Sequence, residues 1–180
     1  MPNSYLALLR GINVGGKNRV PMKELAELFR SEGCTEVRTF IQSGNVLFDA
    51  SPGLVSSLND VLPGRIHKVF GCTIPVVLRQ VEQLETVLAN NPFIKAGEKQ
   101  ETQYVVFLRE APTAEQVSTL DPGRSPPDQF VVVGSEIYLH MPAGMADSKL
   151  TNAYFDSRLK TVSTGRNWRT VTTLCEMMKG

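Results

Sequence analysis

Gly11, Gly16 and Lys17 stand in LLRGINVGGKNRVPM (8–22) at the spacing G-x-x-x-x-G-K, which opens a phosphate-gripping loop. Glycines at such a spacing let backbone amides turn outward into an anion-binding nest, and a lysine adds a full positive charge. A nucleotide-hydrolysing loop also needs Ser or Thr after the lysine to hold magnesium, and a helix that starts at the Gly-Lys pair. Here Asn18 follows Lys17, and Pro21 marks the helix start too late in the chain. The stretch is therefore not a Walker motif. It reads as a glycine-rich basic loop in which Arg10, Asn13, Lys17, Asn18 and Arg19 are candidate ligands for an anion. The alternative is a solvated turn carrying surface cations.

Two further segments share this chemistry. In PAGMADSKL (142–150), Asp147 or Ser148 is expected to cap a helix with Lys149 in its first turn. A cation there opposes the helix dipole by a few tenths of a kcal/mol, which an anionic ligand would offset. In TGRNWRTV (164–171), Asn167 is the expected N-cap of a last helix, with Arg166 and Arg169 beside it and Trp168 in its first turn. Basic residues at a helix start suit an anion. Trp168 is a candidate ring for stacking, although a lone tryptophan at a helix start is more often a packing anchor.

Other chemistry is absent from the sequence. His67 and His140 are the only histidines, and neither has a Ser, Cys or carboxylate partner in a recognisable motif. Cys34, Cys72 and Cys175 are too far apart for a zinc knuckle and odd in number for a disulfide framework. No H-E-x-x-H, C-x-x-C or G-x-S-x-G occurs, so neither a metal nor a cofactor is expected.

The elements that must position these residues follow from periodicity. YLALLR (5–10) suits a strand, and Leu25, Leu28 and Phe29 repeat at helical spacing between Pro21 and Gly33. VRTFIQ and NVLF flank Ser43-Gly44 as a hairpin. Leu54, Leu58 and Val61 begin a second helix, interrupted near Pro63-Gly64, and TIPVVLR (73–79) is another strand. The order β-α-β-β-α-β is the ferredoxin-like unit. In it the first two strands run the same way, which brings Ser43, Gly44 and Asn45 towards Lys17 and Arg19 at one sheet end.

The second part repeats the theme. YVVFLR (104–109) echoes YLALLR, FVVVGSEIYLHM (130–141) echoes the hairpin, and helices are expected over 113–120, 149–159 and 168–178. The fold class is α+β, two degenerate ferredoxin-like halves with antiparallel sheets. The first half is expected over 1–79, a helical connector over 80–102 and the second half over 103–180, all in one compact unit. A single mixed sheet without duplication is the alternative.

LLRGINVGGKNRVPM, FIQSGNVLF, PAGMADSKL and TGRNWRTV together resemble the family called domain of unknown function 1697. The resemblance covers nearly the whole chain. It implies a small bacterial-type protein of duplicated ferredoxin-like α+β fold, and it supplies no reaction and no catalytic residue.

The net charge of +1 in 180 residues argues against a protein that coats polyanions generally. No apolar stretch approaches the ~20 residues that cross a bilayer. MPNSYLALLRGIN lacks the charged segment and long apolar run of a signal peptide, so a cytoplasmic protein without a membrane partner is expected. The leading functional expectation is binding of a phosphate-bearing small molecule or nucleotide. A regulatory or protein-interaction domain, an enzyme acting on a small anionic metabolite and nucleic-acid binding are the alternatives. Nucleic acid is disfavoured by the lack of the RNP1 aromatic pattern. The sequence leaves the oligomeric state open.

Overall fold

A computed structural model describes residues 3–180. The chain divides into two compact units, residues 1–83 with 176–180, and residues 84–175.

The first unit runs β1 (Asn3–Leu9), α1 (Met22–Ser31), β2 (Thr35–Phe40), β3 (Asn45–Ala50), α2 (Pro52–Phe70) and β4 (Val76–Gln80). Its antiparallel sheet has the order β2-β3-β1-β4. Alternation along β1 sends Tyr5, Ala7 and Leu9 to the helix side, where Leu25 and Phe29 of α1 and Leu58, Leu62 and Ile66 of α2 close the core. The i, i+4, i+8 stripe of α2 carries it through Pro63 without a break, contrary to the interruption expected there. Ser51 caps its start and Gly71, at φ 70°, its end, so the defined termini and the buried stripe outweigh the bond lost at Pro63.

α3 (Val81–Ala89) follows β4 directly and leads into the second unit. There α4 (Pro92–Lys95), a 3-10 turn (Gln100–Thr102), β5 (Gln103–Leu108), α5 (Ala114–Ser118), β6 (Gln129–Val133), β7 (Glu136–His140), α6 (Asn152–Leu159), β8 (Ser163–Asn167) and α7 (Trp168–Lys179) follow in order, the last residues of α7 from Glu176 being counted with the first unit. The sheet order is β6-β7-β5-β8, the first sheet repeated strand for strand. Val106, Leu108, Ile137 and Leu139 pack with Tyr154, Phe155 and Leu159 on its helix side.

The repeat extends to single residues. Tyr5 and Tyr104 occupy equivalent positions on β1 and β5, opposite the last residues of β4 and β8. Leu6 pairs with Arg79 on β4 as Val105 pairs with Arg166 on β8. Both arginines are buried. The chain is thus an α+β protein of two duplicated ferredoxin-like halves.

The strand β8 was not expected from the sequence. Ser-Thr-Gly-Arg-Asn has little of the β-branched and aromatic character of a strand, and pairing with β5 fixes it there. The second correction lies beside it. Thr151, not Asp147 or Ser148, caps α6, its side chain accepting from the Tyr154 amide at 3.2 Å. Lys149 is therefore outside the helix, and the dipole argument for it lapses.

Candidate functional site

At the carboxyl end of β1, the glycine-rich loop folds back on itself. Val14 and Lys17 form an isolated bridge around Gly15 and Gly16, which have φ of 57° and 74°. Two positive φ values in succession are the requirement of a tight two-residue hairpin turn. The Lys17 amide donates to the Val14 carbonyl and the Asn13 amide to that of Asn18, each at 3.0 Å. Asn13 Nδ2 donates at 2.9 Å both to Val20 O and to Gln42 O, and its Oδ1 accepts from the Val20 amide. Asn18 Nδ2 donates to Gly11 O at 3.0 Å.

The loop and the β2–β3 turn thus meet at one sheet end, as the strand directions require. Asn45, fully buried, donates to Phe40 O and Ser43 Oγ and so shapes that turn. Asn13 and Asn45 spend their side-chain donors on the protein, and Asn18 spends one of its own. Lys17 and Arg19 are exposed and, among the described residues, have no ion-pair partner. Arg10 is half-buried, with its amide on Pro75 O. The helix α1 begins only after Pro21, and the strands around β1 are antiparallel. A nucleotide-hydrolysing loop joins a strand of a parallel sheet to a helix that starts at the Gly-Lys pair, and this loop does neither.

In the second unit, Ser148 and Lys149 belong to a loop held by Ser125 and Arg124. The Lys149 amide donates to Ser125 Oγ at 3.0 Å, and Arg124 Nε donates to Lys149 O at 2.9 Å. Arg166 lies within the sheet and donates to Thr164 Oγ1 and Gly165 O, each at 2.8 Å. Burial pushes its guanidinium down to about 10. Trp168 is 5% exposed, which makes it a packing residue rather than an open stacking platform.

Asn167 and Arg169 have a different setting. A cleft of about 430 Å³ is lined by Gln100, Glu101, Tyr104, Asn167, Trp168, Arg169, Thr172 and Thr173. The Tyr104–Asn167 pair of the β5–β8 ladder joins its two walls. Asn167 Oδ1 accepts from the Thr170 amide at 2.8 Å, the capping bond expected of it, and so fixes the amino end of α7 beside the cleft. Arg169 and Glu101 are both exposed and, among the described residues, neither is held in an ion pair. The cleft presents one cation, one carboxylate, hydroxyls from Tyr104, Thr172 and Thr173, and a carboxamide from Gln100. Such a set can bind an anionic group at one point and hydroxyl groups at another.

Sequence reasoning missed Gln100, Glu101, Tyr104, Thr172 and Thr173. The signal available was the echo of Tyr5 in Tyr104, but the cleft is invisible until β8 is recognised as the partner of β5. The candidates Arg10, Asn13, Lys17, Asn18, Arg19, Ser43 and Asn45 fall in the first unit, and Ser148, Lys149, Arg166, Asn167, Trp168 and Arg169 in the second.

The remaining reactive side chains have structural settings. His140 sits 3.4 Å from Glu98 and packs on the Phe93 ring. Cys34 is buried, and burial, with the Glu32 charge second, pushes its thiol up to about 11. Among the described residues no group of three or more His, Cys, Asp or Glu side chains is placed to hold a metal ion, and no helix is long and apolar enough to cross a membrane.

No curated protein matches the chain significantly. Among solved structures, the conserved bacterial protein SP0830 from Streptococcus pneumoniae superposes with a TM-score of 0.73 at 24% identity, covering 100% of both chains. That likeness concerns the fold. The profile of the family described as protein of unknown function (DUF1697) matches residues 2–138, which include the glycine-rich loop, the β2–β3 turn and Tyr104. With that match over most of its length, and a duplicated fold shared from end to end with a conserved bacterial protein, the chain belongs to the DUF1697 family.

Proposed function

We propose that the protein binds a phosphate-bearing small molecule of the phosphorylated-sugar or nucleotide class. The observation that carries this reading is that one cleft at the amino end of α7 is lined by both a cation, Arg169, and a carboxylate, Glu101. The cation and the helix end favour a phosphate. The carboxylate repels a bare anion but accepts hydrogen bonds from sugar hydroxyls, as do Gln100 and the threonine hydroxyls. A ligand with a phosphate at one end and hydroxyls at the other satisfies both. The exposed Lys17 and Arg19 of the glycine-rich loop form a second cationic surface, where Asn13 is already bound into the loop and charge is the main attraction.

The test is a thermal-shift series with nucleotides, sugar phosphates and their unphosphorylated counterparts. A ligand at ~100 times its dissociation constant adds about 2.7 kcal/mol of stability. Phosphorylated compounds are expected to stabilise the protein, and Arg169→Ala to abolish the shift. Glu101→Gln is expected to weaken it for sugar-bearing ligands while sparing inorganic phosphate, and Lys17→Ala to leave it in place. A Lys17→Ala protein that alone loses the response would move the site to the glycine-rich loop. No shift with any compound, or an unchanged response in Arg169→Ala, refutes the cleft.

A further inference from the structure

The two sheets repeat each other, yet their corresponding edge strands are finished differently. β2 and β6 occupy the same outer position. β2 is interrupted by a register shift between Thr35 and Arg38, with Glu36 at φ 47°, and it exposes the charges of Glu36 and Arg38. Bulges and charges of this kind keep an edge from pairing with another chain. β6 is Gln-Phe-Val-Val-Val, in unbroken register with β7, without a charge, proline or glycine. Val131 and Val133 are 37% and 44% exposed, two of the few large apolar side chains at the surface.

We infer that β6 is a self-association edge, at which two copies of this chain pair β6 to β6 antiparallel about a two-fold axis through Val131. The geometry selects that occupant. The two-residue turn Gly134-Ser135 makes Val133–Glu136 the closing pair of the hairpin, so hydrogen bonds to β7 fall at Val133, Val131 and Gln129. The amide and carbonyl groups of Phe130 and Val132 then face the open side.

In the two-fold register, Phe130 lies opposite the second copy's Val132 and Val132 opposite its Phe130. These are the two residues whose backbone groups are directed outward, so two hydrogen-bonded pairs form at once. Val131 meets its own counterpart between them, in the closely spaced non-hydrogen-bonded position. Gln129 meets Val133, and the exposed valines of both copies form one apolar stripe.

The flanks agree with the register. Asp128, next to the strand, comes opposite Gly134 at the start of the turn, and β6 itself carries no charge, so no like charges are set directly across from each other. An uncharged strand offers nothing to select a charged peptide, whereas its own sequence in this register matches backbone and side chains together. The result is an eight-stranded sheet shared by two chains, an isologous interface that closes on itself.

Sedimentation of the full chain over a range of concentrations tests this directly. The expected result is a species of twice the chain mass that dissociates on dilution. Val131→Lys places two ammonium groups on the axis at an already exposed position, and is expected to give a monomer with an unchanged circular dichroism spectrum. In a Cys72→Ser background, Val131→Cys is expected to form a symmetric disulfide dimer under mild oxidation, whereas Arg38→Cys on β2 is not. A wild-type chain that stays monomeric at high concentration overturns the proposal. So does a dimer that persists in a folded Val131→Lys protein, or an equal yield of cross-link at position 38.

Discussion

Gly44 shows how one residue carries the geometry of a whole sheet end. It adopts φ 84°, and a Cβ there would lie 2.8 Å from Leu9 Cβ and 2.9 Å from Ile12 Cδ1. Its carbonyl also accepts the Leu9 amide at 2.8 Å, so the turn has no room to retreat from β1. Gly44→Ala combines left-handed strain with overpacking against a fixed backbone, and is expected to cost about 2–5 kcal/mol in chemical denaturation. Gly15→Ala and Gly16→Ala meet nothing within 4 Å and incur the conformational strain alone. A Gly44→Ala loss no larger than theirs would show that the β2–β3 turn relaxes away from β1. The asparagines teach a related lesson. Their type and spacing near a glycine-rich loop suggested ligand contacts, but a positive-φ loop must satisfy its own backbone first. Asn13 is used up in doing so, and Asn18 gives one side-chain donor to Gly11 O.

The elements were legible in the sequence where periodicity and termination signals agreed, and illegible where tertiary pairing decided. α1 between Pro21 and Gly33, the hairpin around Ser43-Gly44 and the valine-rich β6–β7 hairpin have strong local signals. β8 has none, because five small or polar residues become a strand only against β5. The start of α6 was misplaced because Asp147, Ser148 and Thr151 are all good capping residues. The helix begins at the one followed by the buried pair Tyr154 and Phe155. This assignment has a measurable outcome. Thr151→Ala is expected to lower stability by about 1 kcal/mol through loss of the cap. Ser148→Ala removes a loop contact with the Leu150 amide and a 3.5 Å contact with Ser125 Oγ, and is expected to cost less. Equal losses would mean that the helix end draws its stability from packing rather than from the cap. The cleft inherits the same illegibility, since one of its walls is made by β8 and the start of α7.

At the scale of the whole molecule, duplication gives each sheet a hydrophobic core on its helix side. Phe29 in the first and Phe155 in the second are fully buried. Truncating either to alanine is expected to cost about 3–5 kcal/mol. Amide exchange followed residue by residue should localise the effect. Phe29→Ala is expected to speed exchange chiefly in β1 and β3, and Phe155→Ala chiefly in β5 and β7. Uniform acceleration across both sheets in either variant would mean that the chain opens as one cooperative body.

In both halves the last strand passes into a helix with no residue between, Gln80 to Val81 and Asn167 to Trp168. Such a joint has no slack. One residue inserted there would turn everything after it by about 100° around the helix axis. In α3 that would swing Leu84 and Val87 out of their buried positions, and in α7 it would carry Arg169 away from Tyr104. A residue added at the tip of the exposed Gly15-Gly16 turn meets no such constraint. The chain can therefore change length at its loops but not at these two seams, and natural variation in length should avoid them.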